Sequence, residues 1–318
     1  MKLSLHIKAF ALMVVFLLTG STTSLAYNKL AFLVGISDYG NPNNDPNKFR
    51  NINGTSDIEI LKPILRKQGF KISQLLNSRA TYAAIIAGLN NIIQKSQPGD
   101  IVYLHFSMHG QLVEDLNGDE DDGWDEALVP YDAKLKYKKG VYEGQKHLID
   151  DELAIYISKI RKKIGNNGYL YVVLDACHSG TFQRDPVFED ALGIAKINEG
   201  EDEENGPVRG ADVFSRSGKR FDADRSKKKE YFRIKPEAGK SPVVFLEACQ
   251  PFEENREIKR GGKCYGPLTY HVVETIKSQN ISKDGKWVEA VKAGMDNDSI
   301  IKNRPIIQRQ HMMIERTY

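Results

Sequence analysis

The chain has 318 residues, with 45 Lys and Arg against 42 Asp and Glu and a formal net charge of +3. Charge so evenly balanced excludes attachment to nucleic acid or an anionic membrane through overall basicity, and the length suits one large domain or one domain carrying a long insertion. Three cysteines, Cys177, Cys249 and Cys264, are too few and too odd in number for a disulfide-stapled scaffold, so at least one thiol is free.

At the amino end, Lys2 precedes the apolar stretch Ala9 to Leu18, and small and hydroxyl residues follow as far as Ser24-Leu25-Ala26. This is the pattern of a secretory signal peptide over residues 1–26, cleaved after Ala26. The apolar stretch is well short of the roughly 20 residues that span a bilayer. The mature chain, 27–318, is therefore expected to be secreted or periplasmic and free of the membrane.

Four apolar runs follow, bounded by turn residues: Leu30 to Ser37, Ile101 to Ser107, Tyr169 to Ala176 and Pro242 to Ala248. Hydrophobicity without alternation predicts strands buried on both faces of a parallel sheet. Helical spacing of apolar residues lies between and after them, over Asp57 to Gln68, Thr81 to Lys95, Asp150 to Ile164, Pro267 to Lys277 and Trp287 to Met295. A last extended segment is predicted near Pro305 to Gln310. Strands alternating with helices define an α/β fold, an open and mostly parallel sheet flanked by helices. From Thr181 to Lys240 the apolar pattern gives way to Glu, Asp, Gly, Arg, Lys and Ser, which reads as a mobile insertion within the one domain.

In open α/β sheets, functional groups gather at the carboxyl ends of the strands. His109 lies two residues past the second run and Cys177 directly follows the third. An imidazole beside a thiol removes its proton and later returns it to a leaving amine, which makes the two a candidate nucleophile and base. Cys249 ends the fourth run and is the rival nucleophile, but no matching His motif accompanies it. His178 follows Cys177 immediately and would point the opposite way along an extended chain, so it is assigned a structural role. His105, inside the second run, is expected to be a satisfied core residue.

The local sequences Ser107-Met108-His109-Gly110 and Asp175-Ala176-Cys177-His178-Ser179-Gly180 resemble those of the caspase and metacaspase peptidase family. The likeness continues at Asn53-Gly54-Thr55-Ser56-Asp57, at Trp124 to Asp132 and at Leu148 to Leu153. It is good from Leu30 to about Thr181 and weaker beyond, and Met108 departs from the Gly usual there. The resemblance implies a caspase-like sheet, a cysteine endopeptidase with Cys177 and His109 as its dyad, and an oxyanion hole from the amides of Gly110 and Cys177. It also implies a pocket for a basic side chain lined by Asp57 and Asp175, hence protein or peptide substrates with Arg or Lys before the cut bond. Asp57 could instead cap the helix it opens. The family's processing region implies self-cleavage between Arg184 and Lys240, where Ser215 to Lys235 is crowded with Arg and Lys.

No organic cofactor is expected. The acidic stretch Asp115 to Glu126 spaces its oxygens as calcium would need, yet its Gly stands fourth where an EF-hand loop has it sixth, so a solvated acidic loop fits equally. By resemblance, regulatory calcium would be held by Asp125, Asp150, Asp151 and Asp185, while Asp150 could equally be a helix cap. Two other classes of function stay open on the sequence: a catalytically silent caspase-like binding domain, and an extracellular metal-binding protein.

Overall fold

The computed structural model describes residues 27–118, 120, 123–177, 205–211, 213–219, 221, 231–250, 253–305 and 308–317. The expected signal peptide, His178 and Asp185 lie outside them.

Seven strands build the central sheet: β1 (Lys29–Gly35), β2 (Phe70–Leu76), β3 (Ile101–Ser107), β7 (Tyr169–Asp175), β9 (Tyr231–Ile234), β10 (Val243–Glu247) and β13 (Met313–Thr317). Their order across the sheet is β2-β1-β3-β7-β10-β13-β9, and all neighbours are parallel except β10 and β13. The four apolar runs are thus the four central strands. Every residue of β3 is buried, because helices cover both faces of the sheet.

Alternation along β1 shows the two layers. Leu30, Phe32 and Val34 pack with α2 (Tyr82–Lys95) and α3 (Asp150–Ile164), whereas Ala31 and Leu33 face α1 (Gly54–Lys67), α4 (Pro267–Ile276) and α5 (Lys286–Asn297). Thr81 caps α2 by accepting from the Ala84 amide, so that helix starts where its sequence signal placed it. Helix α1 begins three residues earlier than its apolar spacing suggested, which puts Asp57 in the first turn and not at the cap.

Two small antiparallel sheets stand at the carboxyl ends of the central strands. One is β4 (Gly110–Glu114), β5 (Trp124–Leu128) and β6 (Leu148–Ile149); the acidic stretch begins just after β4 at Asp115 and ends within β5 at Glu126. The other is β12 (Lys263–Tyr265), β11 (Arg256–Arg260) and β8 (Asn205–Val208). Strands β8 and β9 both fall inside the stretch 181–240 that the sequence presents as a mobile insertion. In its described parts that stretch belongs to the fold, and Arg209 and Phe214 are fully buried. The extended segment expected at Pro305 to Gln310 is displaced as well, since the last strand is β13 and a short helix, α6 (Ser299–Asn303), ends just before Pro305.

Candidate active site

Strand register places the two reactive residues side by side. Ser107 pairs with Asp175 across β3 and β7, and His109 and Cys177 each stand two residues further on. Their backbones meet at Gly110, where an added Cβ would lie 1.9 Å from the Cys177 carbonyl oxygen, so the glycine is required by close approach. Met108 does not crowd the site, since its side chain is buried in the apolar core.

The imidazole of His109 packs against the rings of Tyr39 and Phe49, with centroids 4.9 and 5.6 Å away, and its backbone amide donates to the Tyr39 hydroxyl. Its Nε2 lies 2.8 Å from the Arg50 carbonyl oxygen. A carbonyl only accepts, so Nε2 carries the proton and Nδ1 holds a bare lone pair. That Nδ1 is buried and without a hydrogen-bond partner. Burial lowers the imidazole pKa to about 4, although the Arg50 and Arg209 backbone oxygens oppose the shift, so the ring is neutral near neutral pH. The thiol of Cys177 is buried and donates to the Glu253 carbonyl at 3.3 Å.

Arg209, which directly follows β8, fills the space the sequence assigns to a substrate. Its carbonyl oxygen accepts from the amides of both Gly110, at 3.1 Å, and Cys177, at 3.2 Å, the pair expected to form the oxyanion hole. Its guanidinium enters the pocket built by Asp57 and Asp175. There Nη2 donates to Asp57 Oδ2 at 2.7 Å, while Nη1 donates to Ser107 Oγ at 2.7 Å and to the Asp175 carbonyl at 3.1 Å. The Nε–H donates to Glu257 Oε1 at 3.0 Å, so a third carboxylate, on β11, completes the pocket. Its backbone amide donates to the Asn255 carbonyl at 2.9 Å, continuing the pairing of β8 with β11.

The carboxylates are themselves held in place. Asp57 Oδ1 accepts from the Gly266 amide, and Asp175 accepts from Asn255 Nδ2 and from the amide and hydroxyl of Thr269. Glu257 accepts from the backbone amide and the side chain of Asn53. Burial raises the Asp57 pKa to about 7; Arg209 pulls it down, and the charges of Asp175 and Glu257 push it further up. Three acidic groups around one cation suit a site built to take a guanidinium. Gly266 leaves room for it, because a Cβ there would lie 2.1 Å from Asp175 Oδ2 and 2.6 Å from the guanidinium Nη1.

His105 bridges Tyr103 and Thr269 inside the core, as expected of a satisfied histidine. No disulfide joins the three cysteines, and Cys249 is buried at the end of β10. Of the four aspartates implied for calcium, Asp125 lies nearly buried on β5, while Asp150 and Asp151 open α3. Ile149 is the cap residue of that helix, so Asp150 is not. One buried oxygen of Asp150, Oδ1, has no hydrogen-bond partner, and burial together with Glu126 raises its pKa to about 6. Asp151 accepts from Asn117. Among the described residues no three acidic, imidazole or thiol groups converge as a ready metal cage. In the acidic turn, Asp115 accepts from the amides of Asn117, Gly118 and Glu120.

A thiol and a neutral imidazole beside a paired-amide hole and an acidic pocket define a cleft of the cysteine peptidase type. The metacaspase, peptidase C14 domain family matches residues 31–186. The chain is 23% identical over 293 residues to a metacaspase-1B of Aspergillus fumigatus, covering 84% of this chain and 66% of that protein. With a metacaspase-1B of Neosartorya fischeri the identity is 30% over 177 residues, covering 52% of this chain and 38% of the relative. The crystal structure of a Geobacter sulfurreducens protein shares the fold, with a TM-score of 0.54 at 20% identity over 92% of this chain and 94% of that one. The chain belongs to the caspase and metacaspase family. It spans 66% and 38% of the length of these two curated relatives.

Proposed function

We propose that this protein is a cysteine endopeptidase that cuts peptide bonds after Arg, and less readily after Lys, with Cys177 as nucleophile and His109 as general base. The observation that carries the reading is the posture of Arg209, whose carbonyl lies on the two amides while its guanidinium meets three carboxylates. Attack by the Cys177 sulfur on such a carbonyl carbon places negative charge on the oxygen that those amides already hold. The thiol proton passes to His109 Nδ1 and then to the leaving amine, after which water releases the acyl group from sulfur. The Arg50 carbonyl keeps the other nitrogen protonated, and so keeps the base nitrogen free. Arginine is preferred because its fork reaches Asp57, Ser107 and Glu257 from three nitrogens, whereas an ammonium is a single point charge.

Regulation by calcium is supported by the orphaned Asp150 oxygen, which a hard cation would satisfy. Asp125, Asp150, Asp151 and Asp185 would hold the ion, and it would neutralise the repulsion of Asp150 by Glu126. Export of the mature chain rests on the leader pattern of residues 1–26.

The test is a pH series on otherwise identical fluorogenic peptides ending in Arg, Lys, Gln or Asp. Arg should be cut fastest and Asp not at all. For the Arg peptide, kcat/KM should rise with pH through about 7 and above, because a proton on Asp57 removes a pocket charge at lower pH and the departure of Arg209 takes away a charge that lowers this pKa. His109, titrating near 4, contributes no limb there. Preference for Asp, or a flat profile between about pH 5.5 and 8, would contradict the pocket assignment.

A further inference from the structure

Two of the three pocket carboxylates are tied to residues one step removed from Arg209. Arg304 and Gln310 lie between α6 and β13, and both are buried. The Arg304 Nη2 donates to the carbonyls of Arg256 and Glu257, at 3.1 and 3.2 Å, and so holds the start of β11, whose Glu257 carboxylate reaches the pocket. Its Nη1 donates to Gln310 Oε1 at 2.7 Å. Gln310 Nε2 in turn donates to Asn255 Oδ1 at 3.0 Å, and Asn255 Nδ2 donates to Asp175 Oδ1 at 2.8 Å. That Asp175 oxygen lies 3.5 Å from Nη1 of Arg209. Three hydrogen bonds thus run in line from a buried cation to a pocket carboxylate.

The direction of each bond in the line is set by the groups around it. A guanidinium only donates, so the Gln310 atom facing it is the oxygen, which also takes the Arg256 amide at 3.2 Å. The nitrogen of the same side chain then faces the Ala248 carbonyl, an acceptor only, at 3.2 Å. With Gln310 fixed in this way, Asn255 has to present its oxygen to Gln310 and its nitrogen to Asp175. An asparagine without such a neighbour is free to turn its amide and set an oxygen against the carboxylate, acceptor on acceptor. Burial and the charge of Arg256 lower the Arg304 pKa to about 10, against the pull of Asp298 and Glu254, so Arg304 stays a cation at neutral pH. Asn255 serves the cleft twice, because its backbone carbonyl accepts from the Arg209 amide.

We propose that Arg304, Gln310 and Asn255 are positioning residues for specificity, which keep Asp175 turned and charged as an acceptor for the guanidinium before the cut bond. The inference rests on the peptidase reading above and adds the residues that hold its pocket. They act through Asp175 and Glu257 and not on the reacting bond. Because the effect travels as bond polarity, it depends on which atoms donate and not only on how many bonds survive a substitution. In Gln310→Glu, one oxygen keeps the Arg304 and Arg256 donors, while the other confronts the Ala248 carbonyl and Asn255 as an acceptor. Asn255 turns to meet it and sets its own oxygen on Asp175. Gln310→Met removes more hydrogen bonds, yet it leaves Asn255 free to keep its nitrogen on Asp175.

The experiment measures KM and kcat separately for the wild-type protein and its variants on two fluorogenic peptides, one ending in Arg and one in citrulline, its neutral isostere. In Gln310→Glu, KM for the Arg peptide should rise about tenfold or more while kcat stays within about threefold, and the preference for Arg over citrulline should fall by a like factor. Gln310→Met should show the smaller rise. Arg304→Lys, which keeps a donor for Gln310, should stay closer to the wild type than Arg304→Met. In an Asn255→Ala background, Gln310→Glu should change KM no further, because the line is already cut. A role in folding alone would lower the amount of active enzyme, and so kcat for both peptides alike, with KM untouched. That result, or a larger rise in KM for Gln310→Met than for Gln310→Glu, would overturn this inference and leave the peptidase reading standing. Should Gln310→Glu fail to fold, the Arg304 variants decide, and equal KM values in Arg304→Lys and Arg304→Met would overturn the inference. A wild-type protein that cuts neither peptide, or cuts both alike, would overturn the peptidase or the pocket reading and this inference with it.

Discussion

Cys177→Ala is expected to lower hydrolysis of an Arg peptide by at least about four orders of magnitude, and His109→Ala by a comparable factor, because nucleophile and base act as one unit. Both side chains are almost wholly buried, so the folding of each variant has to be checked separately. Cys177→Ala removes one sulfur and its bond to the Glu253 carbonyl, a loss of about 1 kcal/mol that should leave the melting transition nearly in place. His109→Ala empties the space beside Tyr39 and Phe49 and should cost more, about 2 to 4 kcal/mol. His109→Gln, which can still donate to the Arg50 carbonyl, is the better control for the fold. The double variant should be no slower than either single one. Equal background rates in wild type and Cys177→Ala would favour a catalytically silent binding domain, and loss of activity in Cys249→Ser alone would point to the rival thiol.

What can be read in the sequence follows from burial on both faces. Strands β1, β3, β7 and β10 are apolar without break because helices cover the sheet above and below, and they are legible to within two residues at either end. Edge position hides a strand. Phe70–Leu76 is half exposed, carries Lys71, Ser73 and Gln74, and gives no such run. The final strand, Met313–Thr317, is polar for most of its length, so the extended signal falls instead on the turn residues near Pro305. Both reactive residues are legible because each follows a buried strand within a short family motif.

Arg209 and Glu257 are not, and the reason is physical. An arginine in a polar, glycine-bearing stretch carries the same local signal as a solvated surface cation, and Glu257 sits in Arg256–Arg260, a run of charges broken by one apolar residue. What distinguishes them is their company. Asp57, Ser107, Asp175 and Glu257 come from four separate elements and meet only when the sheet is assembled. Neither periodicity nor spacing along the chain encodes a cluster whose members lie up to 152 residues apart from Arg209. The loop-like sequence around Arg209 and Phe214 has the same cause, since their partners are β4 and β11 and not their neighbours in sequence.

Among the three pocket carboxylates, Asp57 gives the cleanest test of charge. Its Oδ2 receives the Ser107 hydroxyl and the guanidinium, and its Oδ1 receives the Gly266 amide. In Asp57→Asn, the oxygen can keep the Gly266 bond while the new amide donates to Ser107, whose hydroxyl accepts as readily as it donates. The fold should therefore persist, while an arginine entering the pocket meets a donor where it had an acceptor. Loss of one partner of a buried charge pair costs about 2 to 5 kcal/mol, or roughly 30-fold to several thousand-fold in kcat/KM for the Arg peptide. Asp175→Asn is a poorer test, for every side-chain oxygen of Asp175 faces a donor from Asn255 or Thr269, and an amide there would press donor on donor. That variant should lose stability as well as specificity, by about 1 to 3 kcal/mol. The gap between wild type and Asp57→Asn should widen from about pH 6 to pH 8, because Asp57 with its pKa near 7 is largely protonated at the lower value and already resembles the amide. A gap that stays constant over that range, or an Asp57→Asn enzyme that cuts after Arg as fast as the wild type at the upper end of it, would show that Asp57 is not a charge the substrate reads.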